Sequence, residues 1–328
     1  MPTRSDRISG QQETAERARQ AAKRIRRFVL ETPLSYSPAF SAELDASVYF
    51  KLENRQTTGS FKLRGAMNRL MTLSDEQRSK GCVAASSGNH GAAVACAMQT
   101  LGVSGVIFVP EQTSAVKVDA IRAYGGEVVF FGTDGLDTEQ HARAFADQNG
   151  MVYVSPYNDN EVVAGQGSCG VEIIEQLTDV ETIFVAVGGG GLIAGIGSVV
   201  KAHNPDIRIV GCQPLASAVM ARSVEAGEIL EMESEPTLSD GTAGGIEPGA
   251  ITFPLNQQLV DEFVLVGEQQ IAAAMRRFME SEGDVVEGAA GVAVAAMQKR
   301  ATTIRGQKVV VVICGGNISP ERLDQVRA

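Results

Sequence analysis

Tryptophan is missing from this 328-residue chain, and histidine occurs only three times. Imidazoles so few and so far apart in sequence build no histidine-rich metal centre. The five cysteines include no CxxC pair. A disulfide framework and a zinc knuckle are therefore not indicated, and a reduced, cytoplasmic setting is expected. Basic charge is in deficit, with 29 Lys and Arg against 39 Asp and Glu, a net charge of −10. That balance argues against nucleic acid and anionic membrane as partners. Met1-Pro2-Thr3-Arg4 runs into further polar residues, so no signal peptide is expected. Only the run from Ile183 to Val200 stays uncharged long enough to raise the question of a membrane span. Its glycines at 188–191, 195 and 197 read better as a strand, a glycine loop and a small-residue helix.

What the chain has in abundance is glycine, at 35 residues, and an alternation of apolar runs with helical periodicity. The periodicity predicts a first helix over Glu13–Phe28 and a strand over Ser47–Leu52. Strands are expected at Cys82–Ser86, Gly105–Val109, Val128–Phe131 and Val152–Val154. Between them lie expected helices at His90–Leu101, Ser114–Tyr124 and Asp137–Gln148. The pattern continues with a helix over Val162–Leu177, a strand at Thr182–Val187, a helix at Leu192–His203 and a strand at Ile207–Cys212. Beyond those come a helix near Ala216–Glu225, then Phe263–Val266, Glu268–Ser281, Ala290–Thr302 and Val309–Ile313. Apolar strands alternating with helices predict parallel sheets covered on both faces. The units are too many for one small sheet, so two open α/β domains are expected, with mostly parallel sheets. Residues 1–71 with 159–328 would form the larger, cofactor-binding domain, and 72–158 the smaller. Ligands of such sheets lie at the carboxyl ends of the strands, in the cleft.

Four motifs fall at such places. In Ser60-Phe61-Lys62-Leu63-Arg64-Gly65-Ala66 a lysine stands just inside a predicted helix start. A helix N-terminus carries roughly half a positive charge, which disfavours an ammonium, and a neutral lysine amine attacks carbonyls. Alone, the segment reads equally as a solvated surface lysine. Gly188-Gly189-Gly190-Gly191-Leu192 follows a strand and opens a helix. Its backbone amides and the helix dipole suit a phosphate. A dinucleotide fold competes, because Gly189, Gly191 and Ala194 fit its spacing. It lacks the acid that fold wants, since the next strand ends Val210-Gly211-Cys212-Gln213. Ser86-Ser87-Gly88-Asn89-His90-Gly91 gathers hydroxyls, an amide and backbone N–H groups at a helix start, which suits a carboxylate. Cys314-Gly315-Gly316-Asn317 follows an apolar strand. Cys314 is either a packing residue or a partner for a ring nitrogen.

An amine, a phosphate cup, a carboxylate cradle and a weak partner for a ring nitrogen together suit pyridoxal 5′-phosphate. The chain resembles the tryptophan-synthase-β-like (fold type II) pyridoxal-phosphate enzymes, and within them the threonine/serine dehydratases and serine racemases. The resemblance spans nearly the whole chain. It is carried by Lys51-Leu52-Glu53-Asn54, Thr58 to Ala66, Ser86 to Gly91, Ala164-Gly165-Gln166-Gly167, Gly188 to Leu192, Glu287-Gly288-Ala289-Ala290 and Cys314 to Asn317. It implies that Lys62 holds the cofactor through its amine and then moves the substrate Cα proton. Phe61 would lie against the ring, Asn89 would bond the ring oxygen, and Gly188, Gly189, Gly190, Gly191 and Leu192 would bind the phosphate. Cys314 would face the ring nitrogen. Ser86, Asn89 and His90 would cradle the substrate carboxylate, and Ser87 would be the second base that racemases use. Glu287 matches a buried acid near the ring, and reads equally well as a helix cap. A homodimer or larger homo-oligomer is implied.

Two departures from that pattern matter. Many relatives place carboxylates for a divalent cation where this chain has Gln213 and, approximately, Val219, so no metal site is expected there. The chain also ends soon after Asn317, leaving no room for a regulatory domain, so isoleucine feedback is not expected. The resulting expectation is a dehydratase that eliminates water from threonine or serine. The alternatives are a racemase and a dehydratase of another β-hydroxy amino acid, such as hydroxyaspartate or a hydroxyectoine-derived substrate. From a different class, a non-catalytic phosphate-ligand binding protein also remains. Loops such as Ser155-Pro156-Tyr157-Asn158 and Asp240-Gly241-Thr242-Ala243 are expected to wall the pocket.

Overall fold

Runs of β-branched residues such as Val309-Val310-Val311-Val312-Ile313 have no polar face to offer water, and in this computed structural model all five are fully buried. The structure describes residues 4–327. The chain opens with α1 (Arg4–Ile25), β1 (Leu34–Tyr36), α2 (Pro38–Leu44) and β2 (Ser47–Leu52), then α3 (Lys62–Met71) and α4 (Asp75–Lys80). There follow β3 (Cys82–Ala85), α5 (Asn89–Leu101), β4 (Gly105–Val109), α6 (Ala115–Ala123), β5 (Glu127–Phe130), α7 (Gly135–Asn149) and β6 (Val152–Tyr153). The chain continues through α8 (Asn160–Gln176), β7 (Thr182–Ala186), α9 (Gly191–His203), β8 (Arg208–Pro214), α10 (Val219–Ala226) and α11 (Thr252–Leu259). It closes with β9 (Glu262–Val266), α12 (Glu268–Glu282), α13 (Gly288–Lys299), β10 (Lys308–Ile313) and α14 (Pro320–Arg327).

Two sheets result. The larger runs β1-β2-β10-β7-β8-β9 and the smaller β5-β4-β3-β6. Every pairing is parallel except β1 with β2. The fold is thus the expected pair of open, mostly parallel α/β sheets. α9 packs on β7 and β8 with α8 and α1 behind it, while α13 packs on β7, β8 and β10 with α12 behind. The charge-free run from Ile183 divides into β7, a glycine turn and α9. No helix among the described residues is long and apolar enough to cross a membrane.

The packing divides the chain less cleanly than the sheets do. Leu63, Ala66, Met67 and Leu70 of α3, with Ile25 and Val162, share one core with β3, β4 and α5. Residues 62–71, expected with the large domain, pack against both α8 and α5, and α5 in turn lies on the small sheet.

Several elements had no signal above. β1 is a three-residue edge strand defined only by its partner. α2 starts with Ser37 accepting from the Phe40 N–H and Pro38 at its first position. α4 has a Ser74–Gln77 capping box. α11 and α14 are eight residues each. The first helix also begins earlier than its apolar period, at Arg4, and ends at Ile25, whose carbonyl accepts the N–H groups of Phe28 and Val29 in a turn.

Candidate active site

Parallel strands deliver the motifs to one place. β3 ends into Ser86–His90, β7 into the four glycines, β10 into Cys314, and the loop after β2 into Lys62. All four segments line one cavity of about 1180 Å³, together with Pro156, Tyr157, Asp240–Ala243 and Glu287. Lys62, Asn89 and Gly191 are the first residues of α3, α5 and α9, and Glu287 directly precedes α13. The positive ends of these helices thus converge on the cavity, a field that attracts anions and disfavours an ammonium.

Lys62 is seated by backbone pairing. Ser60 and Gly315 form an antiparallel bridge, and the Phe61 N–H donates to the Cys314 carbonyl at 3.0 Å. Lys62 Nζ donates to the Pro156 carbonyl at 3.0 Å and lies 5.1 Å from the centre of the Phe61 ring. Burial lowers the Lys62 amine to about 8, against the opposing pull of Cys314 and Glu287. Burial pushes the Cys314 thiol well above its ordinary value, so it stays neutral.

The glycine turn has the free donors a phosphate needs. Among the described residues, no backbone N–H from Gly188 to Leu192 donates to a protein acceptor outside its own helix. The carbonyls are taken instead: Thr252 Oγ1 donates to Gly189 at 2.7 Å and Asn256 Nδ2 to Gly190 at 3.1 Å. Gly190 is left-handed at φ 81°, a conformation that favours glycine. At Gly189 a Cβ would lie 2.4 Å from the Tyr157 ring.

Across the cavity, Asn89 Nδ2 donates to both Glu287 oxygens, at 3.0 and 2.9 Å, and Asn89 Oδ1 accepts from Asn317 Nδ2 at 2.7 Å. The Asn89 side chain, on the cavity wall, is thus bonded through both its nitrogen and its oxygen. Glu287 occupies the cap position of α13 but makes no side-chain cap bond, so the acid-near-the-site reading stands over the capping one. Burial raises its carboxyl to about 7, the Asn89 bonds partly opposing. His90 departs from the expected carboxylate cradle. Its buried Nε2 lies 2.8 Å from the Val154 carbonyl, so it carries the proton, and burial and Lys62 lower the ring to about 3. The remaining Nδ1 is an unpartnered acceptor, which repels a carboxylate. Ser86, whose Oγ accepts from the Gly88 N–H at 3.2 Å, and Ser87 stand on the cavity wall.

Behind Lys62, charge is packed into the interior. Arg64 binds Glu53 at 2.7 Å and Glu172 at 2.6 Å, and Lys51 binds Glu172 at 2.6 Å. Burial pushes the Glu53 carboxyl up, and Arg64 with Lys51 and the Thr32 hydroxyl more than reverses it, leaving it below its ordinary value. Elsewhere, Gln213 is buried, donates to the Val187 and Ser217 carbonyls at 3.1 and 3.4 Å, and accepts from the Ala221 N–H at 2.7 Å. Val219 is the first residue of α10. Among the described residues no cluster of three or more His, Cys, Asp or Glu could hold a metal ion.

Sequence reasoning missed the tethers from Thr252 and Asn256, the Asn317 bond to Asn89, and the ring of Tyr157 against the glycines. Each joins segments more than thirty residues apart in sequence, so no local signal marks it.

Fold and site together define a lysine-bearing, phosphate-binding α/β enzyme with its site between two parallel sheets. The chain belongs to the pyridoxal-phosphate dependent enzyme family, which matches residues 25–315. It is 40% identical over 313 residues to an L-threonine ammonia-lyase of Thermotoga maritima, covering 95% of this chain and 78% of that one. It is 39% identical over 311 residues to the catabolic L-threonine dehydratase TdcB of Escherichia coli, covering 94% of each. The solved maize serine racemase superposes with a TM-score of 0.88 at 33% identity, covering 95% of this chain and 97% of that one. The residues present fit the family's cofactor: an amine of lowered basicity, five backbone amides without protein acceptors outside their helix, and a neutral thiol line the same cavity.

Proposed function

We propose that this enzyme eliminates water from L-threonine, L-serine or both, giving a 2-oxo acid and ammonia. The observation that carries the reading is Lys62: an amine of depressed basicity where helix N-termini converge, with the neutral Cys314 thiol and the Glu287 carboxyl in the same cavity. Bound pyridoxal phosphate supplies the electron-withdrawing ring that acidifies the substrate Cα proton. Lys62 binds the cofactor and then accepts that proton, while the amides of Gly188–Leu192 hold the phosphate. Ser86 and the amides at the start of α5 bind the substrate carboxylate. Cys314 stays neutral and would offer a ring nitrogen no anion to hold a proton, which would favour prompt loss of the β-hydroxyl. The β-hydroxyl would leave as water with the proton that Lys62 took from Cα, and the released enamine would take up water to give the 2-oxo acid and ammonia. The 40% identity to an L-threonine ammonia-lyase over 95% of the chain supports the same substrate class.

A racemase is the second reading, favoured by Ser87 on the cavity wall and by the likeness to a serine racemase. We further place the protein in the cytoplasm as a homo-oligomer. Its five cysteines are all free and buried, which supports a reducing compartment. The test is a panel of hydroxy amino acids, β-hydroxyaspartate among them, assayed for 2-oxo acid. Release of 2-oxobutanoate from L-threonine or pyruvate from L-serine is expected. Formation of D-serine with no 2-oxo acid from any substrate would overturn the lyase in favour of the racemase.

A further inference from the structure

Between the small sheet and the glycine turn runs a chain of contacts that the chemistry above leaves unused. α7 buries Ala142 and Ala146 against Val83 and Phe108 of the small sheet. From the same helix Arg143 reaches across to Glu247, Nη2 to Oε1 at 2.8 Å, with its guanidinium 4.2 Å from the centre of the Tyr153 ring. The other Glu247 oxygen accepts from Asn158 Nδ2 at 2.9 Å, and the Glu247 N–H donates to the Tyr157 hydroxyl at 2.9 Å. The Tyr157 ring in turn lies against Gly189, where an added Cβ would meet it at 2.4 Å, and the Tyr157 Cβ lies 3.1 Å from where a Cβ on Gly191 would be. A second branch leaves the same loop: Asn158 Oδ1 accepts from the Ile251 N–H at 3.0 Å, next to Thr252, whose hydroxyl holds the Gly189 carbonyl.

We propose that the Arg143–Glu247 pair is a latch that ties the position of the small sheet to the shape of the phosphate-binding glycine turn. Arg143 and Glu247 are positioning residues, and both branches from Glu247 end on Gly189. One branch sets how closely the Tyr157 ring covers the turn. The other fixes which way the Gly189 carbonyl points, and hence how the following N–H is presented. A shift of the small sheet that breaks the ion pair frees both at once. The inference rests on the glycine turn being the phosphate seat.

The experiment follows loss of pyridoxal phosphate from the diluted holoenzyme by its visible absorption, for wild type, Arg143→Gln, Arg143→Lys, Tyr157→Phe and Gly189→Ala. Side chains at the pair are 36% and 25% exposed, so the effect is modest and salt-sensitive. Arg143→Gln should weaken cofactor retention roughly two- to five-fold, with an unchanged melting temperature of the cofactor-free protein. Arg143→Lys should recover part of the loss, and the gap between wild type and Arg143→Gln should narrow in 1 M salt. Tyr157→Phe should weaken retention likewise, and add little to Arg143→Gln in the double variant. Unchanged retention in Arg143→Gln, while Gly189→Ala loses cofactor readily, overturns the latch and leaves the phosphate seat standing. Unchanged retention in Gly189→Ala removes the seat itself. A fall in melting temperature of cofactor-free Arg143→Gln, with a gap that ignores salt, makes the pair merely structural and also overturns the proposal.

Discussion

Lys62 combines two features that seldom coincide in a surface lysine, a helix start and burial. Both disfavour the ammonium, and the amine falls to about 8 from an ordinary 10.5. The neutral, nucleophilic form therefore becomes dominant as pH rises through about 8, more than two units below an ordinary lysine. Capture of added pyridoxal phosphate by the cofactor-free protein should speed up across that interval and level off above it. A rate still climbing through pH 10 would place the amine in water. Lys62→Ala should abolish turnover while retaining some cofactor, because the amides of the glycine turn are untouched. Borohydride reduction followed by peptide mapping should label Lys62, and a label on another lysine would remove the assignment. Ser87 gives the complementary test. Elimination and racemisation share removal of the Cα proton, and only racemisation needs a proton returned from the other side. Ser87→Ala should thus suppress any D-isomer formation far more than 2-oxo acid release. Equal loss of both would make Ser87 structural.

Among the elements, α3 illustrates how a site is held from behind. Its first residue is Lys62, and its third, Arg64, is fully buried between Glu53 after β2 and Glu172 on α8. With Lys51 the four charges balance, so none is stranded. Removing one partner strands another. Glu53→Ala should destabilise the protein by about 3–5 kcal/mol, read as a lower thermal midpoint and a lower urea midpoint. The pH dependence has a definite sign. The Glu53 carboxyl lies below its ordinary 4.5 in the folded protein. Its contribution is complete above that value and is lost as pH falls through the depressed one. Stability of the wild type should therefore decline in acid more steeply than that of Glu53→Gln. A parallel decline in both would show that the cluster does not govern acid unfolding.

At the scale of the whole molecule, what the sequence disclosed depended on distance along the chain. The strand Gly105–Val109 was legible residue for residue, because strand periodicity and turn residues are local signals. Lys62, the four glycines and Cys314 were legible as chemistry because parallel strands put their following loops at one end. β1 was not, since Leu34-Ser35-Tyr36 pairs antiparallel only by virtue of β2. Neither was the engagement of Asn89 by Glu287, 198 positions away. The division into domains shows the same limit most plainly. A boundary after residue 71 follows the alternation of strands and helices, yet the core crosses it. Leu63, Met67 and Leu70 are at most 1% exposed, and they belong to one buried cluster with Val94 of α5 and Ile107 and Val109 of β4. A fragment of residues 72–158 would expose that apolar surface, and each such side chain removed from a core forfeits roughly 2–5 kcal/mol. Against a typical net stability of about 5–15 kcal/mol, losing several at once leaves no folded margin. The fragment should therefore show no cooperative thermal transition by near-ultraviolet circular dichroism, while the full chain melts cooperatively. A fragment of 72–158 that unfolds cooperatively would mean that the small sheet carries its own core and that α3 only rests against it.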